Sequence, residues 1–386
     1  MKVKRTGVAC GLTLLVLAGL IVAEPDPNFH CYLLFGQSNM AGGGAGNNDG
    51  EGTKGVDDYC DTNTRVKVLA WGDCNATPFP CPDKQLKRTH DQWYTAFPPY
   101  HNCHEGIGPA DGFGRTLLDS ISEDITIGFI PCALSGEKIE VFQKGLNYPI
   151  DSWTQPTIGN GQTLSSGGYE WMVKRCKIAQ ETGVIKGILL HQGEANLGQQ
   201  DWPQKVKGII DNLKADLGLW DSIPFIAGEL RRDTQNQHNP IVNKLPGIIP
   251  NCGVASSDGV EARISRKDGQ FDQYHFSTGG YKLFGYRYAV EFLKRASQKY
   301  MPRKGTVATK SQRHGSSVKK NTFLWDNGAV IYSLDGKVVA SVKNAADRSG
   351  FRKMIPGKVY LVAAETGGQR NARIIPFVNS GNRNGK

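Results

Sequence analysis

The sequence predicts an α/β protein in three layers, a parallel β-sheet covered by helices on both faces, followed by a small all-β module. Three observations predict it. From residue 29 to about 300, short apolar strand-like runs alternate with amphipathic helix-like stretches, the pattern of strands joined by crossover helices. Four of the apolar runs or helix starts carry polar blocks at one end, where open α/β sheets place their ligands. Beyond residue 300 the composition shifts: residues 301–386 hold 16 Lys and Arg against 4 Asp and Glu, and the other 300 residues hold 30 against 32. The chain's net charge of +10 therefore resides in the tail and says nothing about a site in the larger domain.

The elements follow in order. Residues 1–23 read as a secretory signal: Lys2, Lys4 and Arg5 precede an almost wholly apolar run from Val8 to Val22, and Ala23 offers a small residue for cleavage. No other apolar run approaches the length of a membrane span, so a secreted or cell-surface protein without stable membrane insertion is expected. Residues 24–300 form the α/β domain. Strands are predicted at Cys31–Phe35, Val66–Trp71, Ile125–Cys132, Gly187–His191, Ile223–Gly228 and Gly253–Ser256, and helices at Gly112–Ser122, Gly168–Thr182, Trp202–Leu217 and Thr278–Gln298. The segment Gly43 to Gly108, rich in Gly, Asn, Asp, Pro and Cys, breaks this rhythm and reads as a long functional loop insertion. Residues 301–320 are a polar, basic linker. Residues 321–386 contain strand-like pieces at Ala329–Ser333, Lys337–Ser341 and Lys358–Glu365, with Asp335-Gly336 and Gly367-Gly368 as turn signals.

Eight cysteines remain after the signal, an even number consistent with disulfides in an exported protein. Cys60, Cys74, Cys81 and Cys103 cluster in the insertion and are expected to staple it. No Cys-x-x-Cys pair is present, and His101 and His104 near Cys103 do not make a complete ligand set, so no metal and no organic cofactor are expected.

Candidate chemistry lies at the polar blocks. Ser38 follows the buried run Cys31–Phe35 in Gly36-Gln37-Ser38-Asn39-Met40. A serine exposed on a sharp strand-to-helix turn can act as a nucleophile, although Ser and Asn also favour helix caps. A serine hydroxyl needs a base to remove its proton, and His275 in Asp272-Gln273-Tyr274-His275 is the natural one. A carboxylate must then hold the imidazole in one tautomer. Asp272, three residues earlier, can do so unless it merely caps the last helix. Glu194, in His191-Gln192-Gly193-Glu194 at the end of another buried run, is the other candidate, and spacing does not decide between them. His191 reads as a strand-end support, and the remaining histidines receive no role. The third turn, Ser135-Gly136-Glu137, again follows a strand.

The pentapeptide at 36–40, the stretch Gly108-Pro109-Ala110-Asp111-Gly112-Phe113-Gly114, Gln192-Gly193-Glu194 and Asp272-Gln273-Tyr274-His275 occur in the order found in SGNH-type esterases. Over about residues 29–300 the chain resembles the acetylesterase branch that includes sialate O-acetylesterases and the acetylxylan esterases of carbohydrate esterase family 6. The resemblance implies a flavodoxin-like SGNH-hydrolase fold. It implies Ser38 as nucleophile, His275 as base, and Asp272 as orienter, with Glu194 able to share or take that last role. It further implies an oxyanion and substrate-binding set of the Ser38 N–H, Gln37, Asn39, Gly136 and the Gln192 side chain. The turn at Ser135-Gly136-Glu137 departs from the usual Gly-Gly-Thr. The expected activity is removal of O-acetyl groups from plant cell-wall polysaccharide, acetylated xylan above all. Sialate O-acetylesterase is the alternative within enzymes, and a non-catalytic carbohydrate-binding or adhesion protein is the alternative outside them. The tail resembles small basic modules of secreted hydrolases from fibre-degrading bacteria, which implies attachment to a surface or polysaccharide and no nucleic-acid partner.

Overall fold

A computed structural model describes residues 24–43, 60–76, 81, 84, 86–264 and 269–296, together with the backbone of four strands between residues 329 and 376. The expected signal segment and basic linker lie outside the described residues. The chain divides into two units, Met1–Thr306 and Val307–Lys386.

In the larger unit, β1 (Phe29–Gly36) is the centre of a seven-stranded sheet. It pairs in parallel with β6 (Thr126–Ala133) on one side and β7 (Val184–His191) on the other. The strand order is β5-β2-β6-β1-β7-β8-β9, with β2 (Val66–Leu69), β5 (Trp93–Thr95), β8 (Phe225–Gly228) and β9 (Cys252–Ala255) completing it. Only the edge strand β5 runs antiparallel. From β1 the chain builds outward first to β2 and β6, then on the other side to β7, β8 and β9. The crevice at the carboxyl end of β1 is thus a topological switch point.

Both faces of β1 are buried, which is why it reads as a continuous apolar run. Cys31, Leu33 and Phe35 face one core, with α3 (Gly168–Thr182) and α4 (Trp202–Leu217) supplying Met172, Cys176, Ile209 and Leu213. Tyr32 and Leu34 face the other, against Phe113 and Leu117 of α2 (Pro109–Ser120) and Tyr281, Phe284 and Phe292 of α6 (Thr278–Arg295). The single-turn helices α1 (Ser38–Ala41) and α5 (Asn239–Val242) complete the helical elements named here. The expected three-layer α/β/α architecture is what the chain forms.

Two details differ from expectation. The insertion is not wholly irregular: β3 (Cys74–Ala76) and β4 (Leu86–Arg88) make a two-stranded ladder, and β5 extends the main sheet. Three-residue pairings leave too short a period to show in the sequence. The second helix starts at Pro109, earlier than expected, because Pro is favoured at the first helical position and the Asp111 carboxylate accepts the Gly108 N–H at 3.0 Å. The four cysteines of the insertion staple it as expected, Cys60 to Cys81 and Cys74 to Cys103. Cys31, Cys132, Cys176 and Cys252 are free and buried as small apolar core residues.

In the smaller unit, β10 (Ala329–Ser333), β11 (Val338–Val342), β12 (Val359–Thr366) and β13 (Gln369–Pro376) form an antiparallel sheet in the order β11-β10-β12-β13. The strand β13, whose run Gln369-Arg370-Asn371-Ala372-Arg373 is largely polar, was not expected. It pairs along its whole length with β12, across residues 367 and 368.

Candidate active site

Ser38 is the first residue of α1, directly beyond β1. Gly36 makes this turn with φ +131°, and a Cβ there would lie 2.0 Å from the His191 carbonyl oxygen. Glycine alone lets the end of β1 pass that close to β7. The Gln37 N–H donates to the same His191 carbonyl at 2.9 Å. Helix geometry leaves the N–H groups of Ser38 and Asn39 without an intrahelical acceptor.

His275 and Asp272 arrive on the loop before α6. His275 Nε2 lies 2.9 Å from Ser38 Oγ, and Nδ1 lies 3.0 Å from Asp272 Oδ2. The other carboxylate oxygen of Asp272 accepts the N–H groups of Tyr274 at 2.8 Å and His275 at 2.9 Å, so the three-residue spacing closes a turn on itself. Ser277, not Asp272, caps α6, its hydroxyl accepting the Gly280 N–H at 3.0 Å. Burial alone would raise the pKa of Asp272. The hydrogen bond and charge of His275 and the two backbone N–H groups outweigh it and hold the carboxyl well below the usual carboxylate range.

Two arginines fix this loop. Arg263 Nε donates to Asp272 Oδ2 at 2.6 Å, and its Nη2 contacts the same oxygen while lying 2.8 Å from His275 Nδ1. Arg231, fully buried, donates from Nη1 to the carbonyls of Asp272 at 2.6 Å and of Arg263 and His275 at 3.1 Å each. Neither residue has a local sequence signal, because its partners are backbone or side-chain atoms brought near by the fold.

Glu194 is placed beside this set but not on the imidazole of His275. Its Oε1 accepts from Asn39 Nδ2 at 2.5 Å and lies 3.5 Å from His191 Nδ1. His191 donates through Nε2 to the Glu229 carbonyl at 3.1 Å, and burial lowers its pKa despite Glu194, so it is a neutral support. Asn39 also donates to the Tyr274 carbonyl at 2.8 Å and accepts from the Tyr281 hydroxyl at 2.6 Å. One fully buried amide therefore ties the residue after Ser38 to the residue before His275.

Two expected binding residues have their side chains engaged within the protein. Gln192 is buried, with Nε2 donating to Asn196 Oδ1 at 2.6 Å, Gln37 Oε1 at 3.1 Å and the Glu137 carbonyl at 3.3 Å, and with Oε1 accepting from Trp202 at 2.5 Å. Both polar atoms of this amide are thus bonded within the protein. The Asn39 side chain is occupied in the same way. Gln37 and Gly136 do line the site, Gln37 with its Oε1 already accepting from Gly193 and Ala195 N–H groups at 3.4 and 3.3 Å.

The cavity over Ser38 has a volume of about 780 Å³. Its wall includes Gly43, where a Cβ would sit 2.6 Å from His275 Cδ2 and 2.9 Å from Ser38 Cβ, so the chain closes on the Ser–His pair only as glycine. The insertion adds Asn102, His104 and Glu105, anchored by the neighbouring Cys74–Cys103 bond. Burial of the Glu105 carboxyl pushes its pKa up to about 7, against the hydrogen bond donated by the Ser135 hydroxyl.

Residues 28–294 match the family described as carbohydrate esterase, sialic acid-specific acetylesterase. The chain belongs to that family. This places it among carbohydrate esterases, a group of carboxylic ester hydrolases. It is 27% identical over 216 residues to the probable carbohydrate esterase At4g34215 of Arabidopsis thaliana, covering 53% of this chain and 70% of that protein. The crystal structure of that Arabidopsis protein superposes with a TM-score of 0.51 at 22% identity, covering 70% of this chain and 99% of the other, and shows the shared fold. Lower scores are found for XAC1771, a carbohydrate acetylesterase from Xanthomonas citri (0.47, 16% identity, 69% and 56% coverage), and for NanS (0.48, 15% identity, 69% and 98% coverage).

Proposed function

We propose that this family member is a secreted serine acetylesterase that removes O-acetyl groups from plant cell-wall polysaccharide, with acetylated xylan as its substrate. The observation that carries the chemistry is the unbroken chain Ser38 Oγ–His275–Asp272, at 2.9 and 3.0 Å, opening on one cavity. In this reading His275 takes the Ser38 proton as Oγ attacks the acetyl carbonyl. Asp272 stabilises the imidazolium without taking the proton. The N–H groups of Ser38 and Gly136 receive the oxyanion, each donor supplying about 3–4 kcal/mol in the transition state. His275 then protonates the departing sugar hydroxyl, and water, deprotonated by His275, releases acetate from Ser38.

The choice of a neutral sugar rests on charge. Arg263 is the only Lys or Arg among the described residues lining the cavity, and it is engaged by Asp272, while Glu105, Glu194 and Asp272 contribute three carboxyl groups. That set does not favour the carboxylate of a sialic acid. The family description favours it, which keeps O-acetyl sialate as the second reading. The two disulfides support an oxidising compartment.

The test is acetate release by the full chain from p-nitrophenyl acetate, acetylated xylan and O-acetylated sialic acid. Wild type is expected to act on the first two and Ser38→Ala on none. A folded wild type inactive on all three ends the esterase reading, and preference for the sialate replaces the substrate assignment.

A further inference from the structure

Among the described residues four aromatic side chains are prominently exposed: Trp153 at 63%, Phe271 at 56%, Trp220 at 48% and Tyr274 at 47%. Scattered exposed apolar residues are ordinary, whereas a cluster asks for a partner. Three of these four, Trp153, Phe271 and Tyr274, line the cavity over Ser38. Trp220 lies elsewhere, with the Lys186 ammonium 5.7 Å from its ring centroid.

The three rings come from two separate segments that frame the reacting centre. Trp153 sits in a short helical turn, Ser152–Thr154, and packs on Gly136: a Cβ at Gly136 would lie 2.7 Å from Trp153 Cζ2. Tyr274 directly precedes His275, with ring centroids 6.3 Å apart. Phe271 directly precedes Asp272. A small acetyl group has no use for three exposed rings around the cavity. The C–H faces of a pyranose ring do, because they are apolar and flat while the hydroxyls project sideways toward polar groups. Gln37, Asn102 and Gln273 line the same cavity and can meet such hydroxyls.

We propose that Trp153, Phe271 and Tyr274 form a stacking platform for unacetylated sugar units flanking the acetylated one, and so select a neutral pyranosyl chain over a monosaccharide. The proposal rests on the carbohydrate-esterase reading above and deepens it by assigning the residues that hold the chain. The rings act on binding of remote units and not on the reacting carbonyl, so their effect belongs in KM and grows with chain length.

The experiment compares the full chain, Trp153→Ala, Trp153→Phe and Phe271→Ala on acetylated xylo-oligosaccharides of increasing length and on p-nitrophenyl acetate. Each Ala variant is expected to raise KM for the longer oligosaccharides about tenfold more than for the small ester, the size of one aromatic contact. Trp153→Phe should recover most of the loss, because a ring is restored. Equal losses on long and small substrates, or a Phe variant no better than Ala, overturn the platform. Calorimetry with unacetylated xylo-oligosaccharide on Ser38→Ala, with and without Phe271→Ala, gives a second readout free of turnover. Weaker binding in the double variant supports the proposal, and equal binding overturns it. Wild type that releases no acetate from any ester defeats the underlying esterase reading instead, so the two failures are distinct.

Discussion

Asp272 and Glu194 are both buried carboxylates near His275, yet their partners assign them different work. Asp272 accepts from the imidazole and from two backbone N–H groups, whereas Glu194 accepts from Asn39. Asp272→Asn should lower kcat on p-nitrophenyl acetate by about 10⁴-fold, because an amide holds the wrong imidazole tautomer. Glu194→Gln should leave kcat within about tenfold but lower unfolding free energy by roughly 1–3 kcal/mol, the usual cost of disturbing a buried polar network. Kinetics and denaturant melts of both variants check this, and a larger kcat loss in Glu194→Gln reverses the assignment. The sign of the pH effect follows from the depressed pKa of Asp272. Its contribution to stability is present above the unfolded carboxylate pKa of about 3.9 and fades only as pH falls toward its lower folded value. At this scale the sequence made Ser38, His275 and Asp272 legible, because each lies at a strand or helix end and carries reactive chemistry. It did not reveal that Asn39 and Gln192 face inward, since hydrogen-bond saturation of an amide depends on Tyr281, Trp202 and Asn196, distant or facing partners that spacing does not show. Arg263 and Arg231 were illegible for the same reason.

The central elements were legible for a different reason: the carboxyl-terminal halves of β1, β6 and β7 are buried on both faces and therefore nearly all apolar, and Gly36 and Gly136 follow or end them. The insertion was legible only as an interruption. Beyond β2, which was expected, its described strands are three residues each, and its described part is held by covalent and ionic ties, including Arg175 of α3, which donates to Asp91 at 2.6 Å and to the Ala70 carbonyl at 2.8 Å. The two disulfides close spans of 21 and 29 residues, for which loop closure gives about 3–4 kcal/mol each. Cys103 sits between Asn102 and His104-Glu105 in the chain, and its bond to Cys74 ties down the stretch that brings these three residues to the cavity. The double variant Cys74→Ser/Cys103→Ser should therefore melt roughly 10 °C lower and show a raised KM on acetylated oligosaccharide. Thermal melts and steady-state kinetics check both parts, and an unchanged KM would show that this segment does not shape the binding site.

At the scale of the whole chain, charge and chemistry are separated. The +10 net charge comes from residues 301–386, while the Ser–His–Asp set, its arginine clamps and the described residues of the cavity wall lie before Thr306. The tail's described backbone is a four-stranded antiparallel sheet with its own pairing. A basic module of this kind adds attraction to acidic surfaces that salt screens over about 8–10 Å at ordinary ionic strength. It is expected to add nothing to attack on an acetyl carbonyl. A chain ending at Thr306 should keep the kcat/KM of the full chain on p-nitrophenyl acetate within about twofold. It should lose most retention on insoluble glucuronate-bearing xylan, and the full chain should lose the same retention when salt is raised from about 0.05 to 0.5 M. Pull-down with the polysaccharide at the two salt concentrations, run beside the ester assay, checks this. A truncated chain that is folded but inactive on the small ester would place part of the catalytic apparatus in the tail. Retention that survives both truncation and salt would move attachment to the aromatic rings around Ser38.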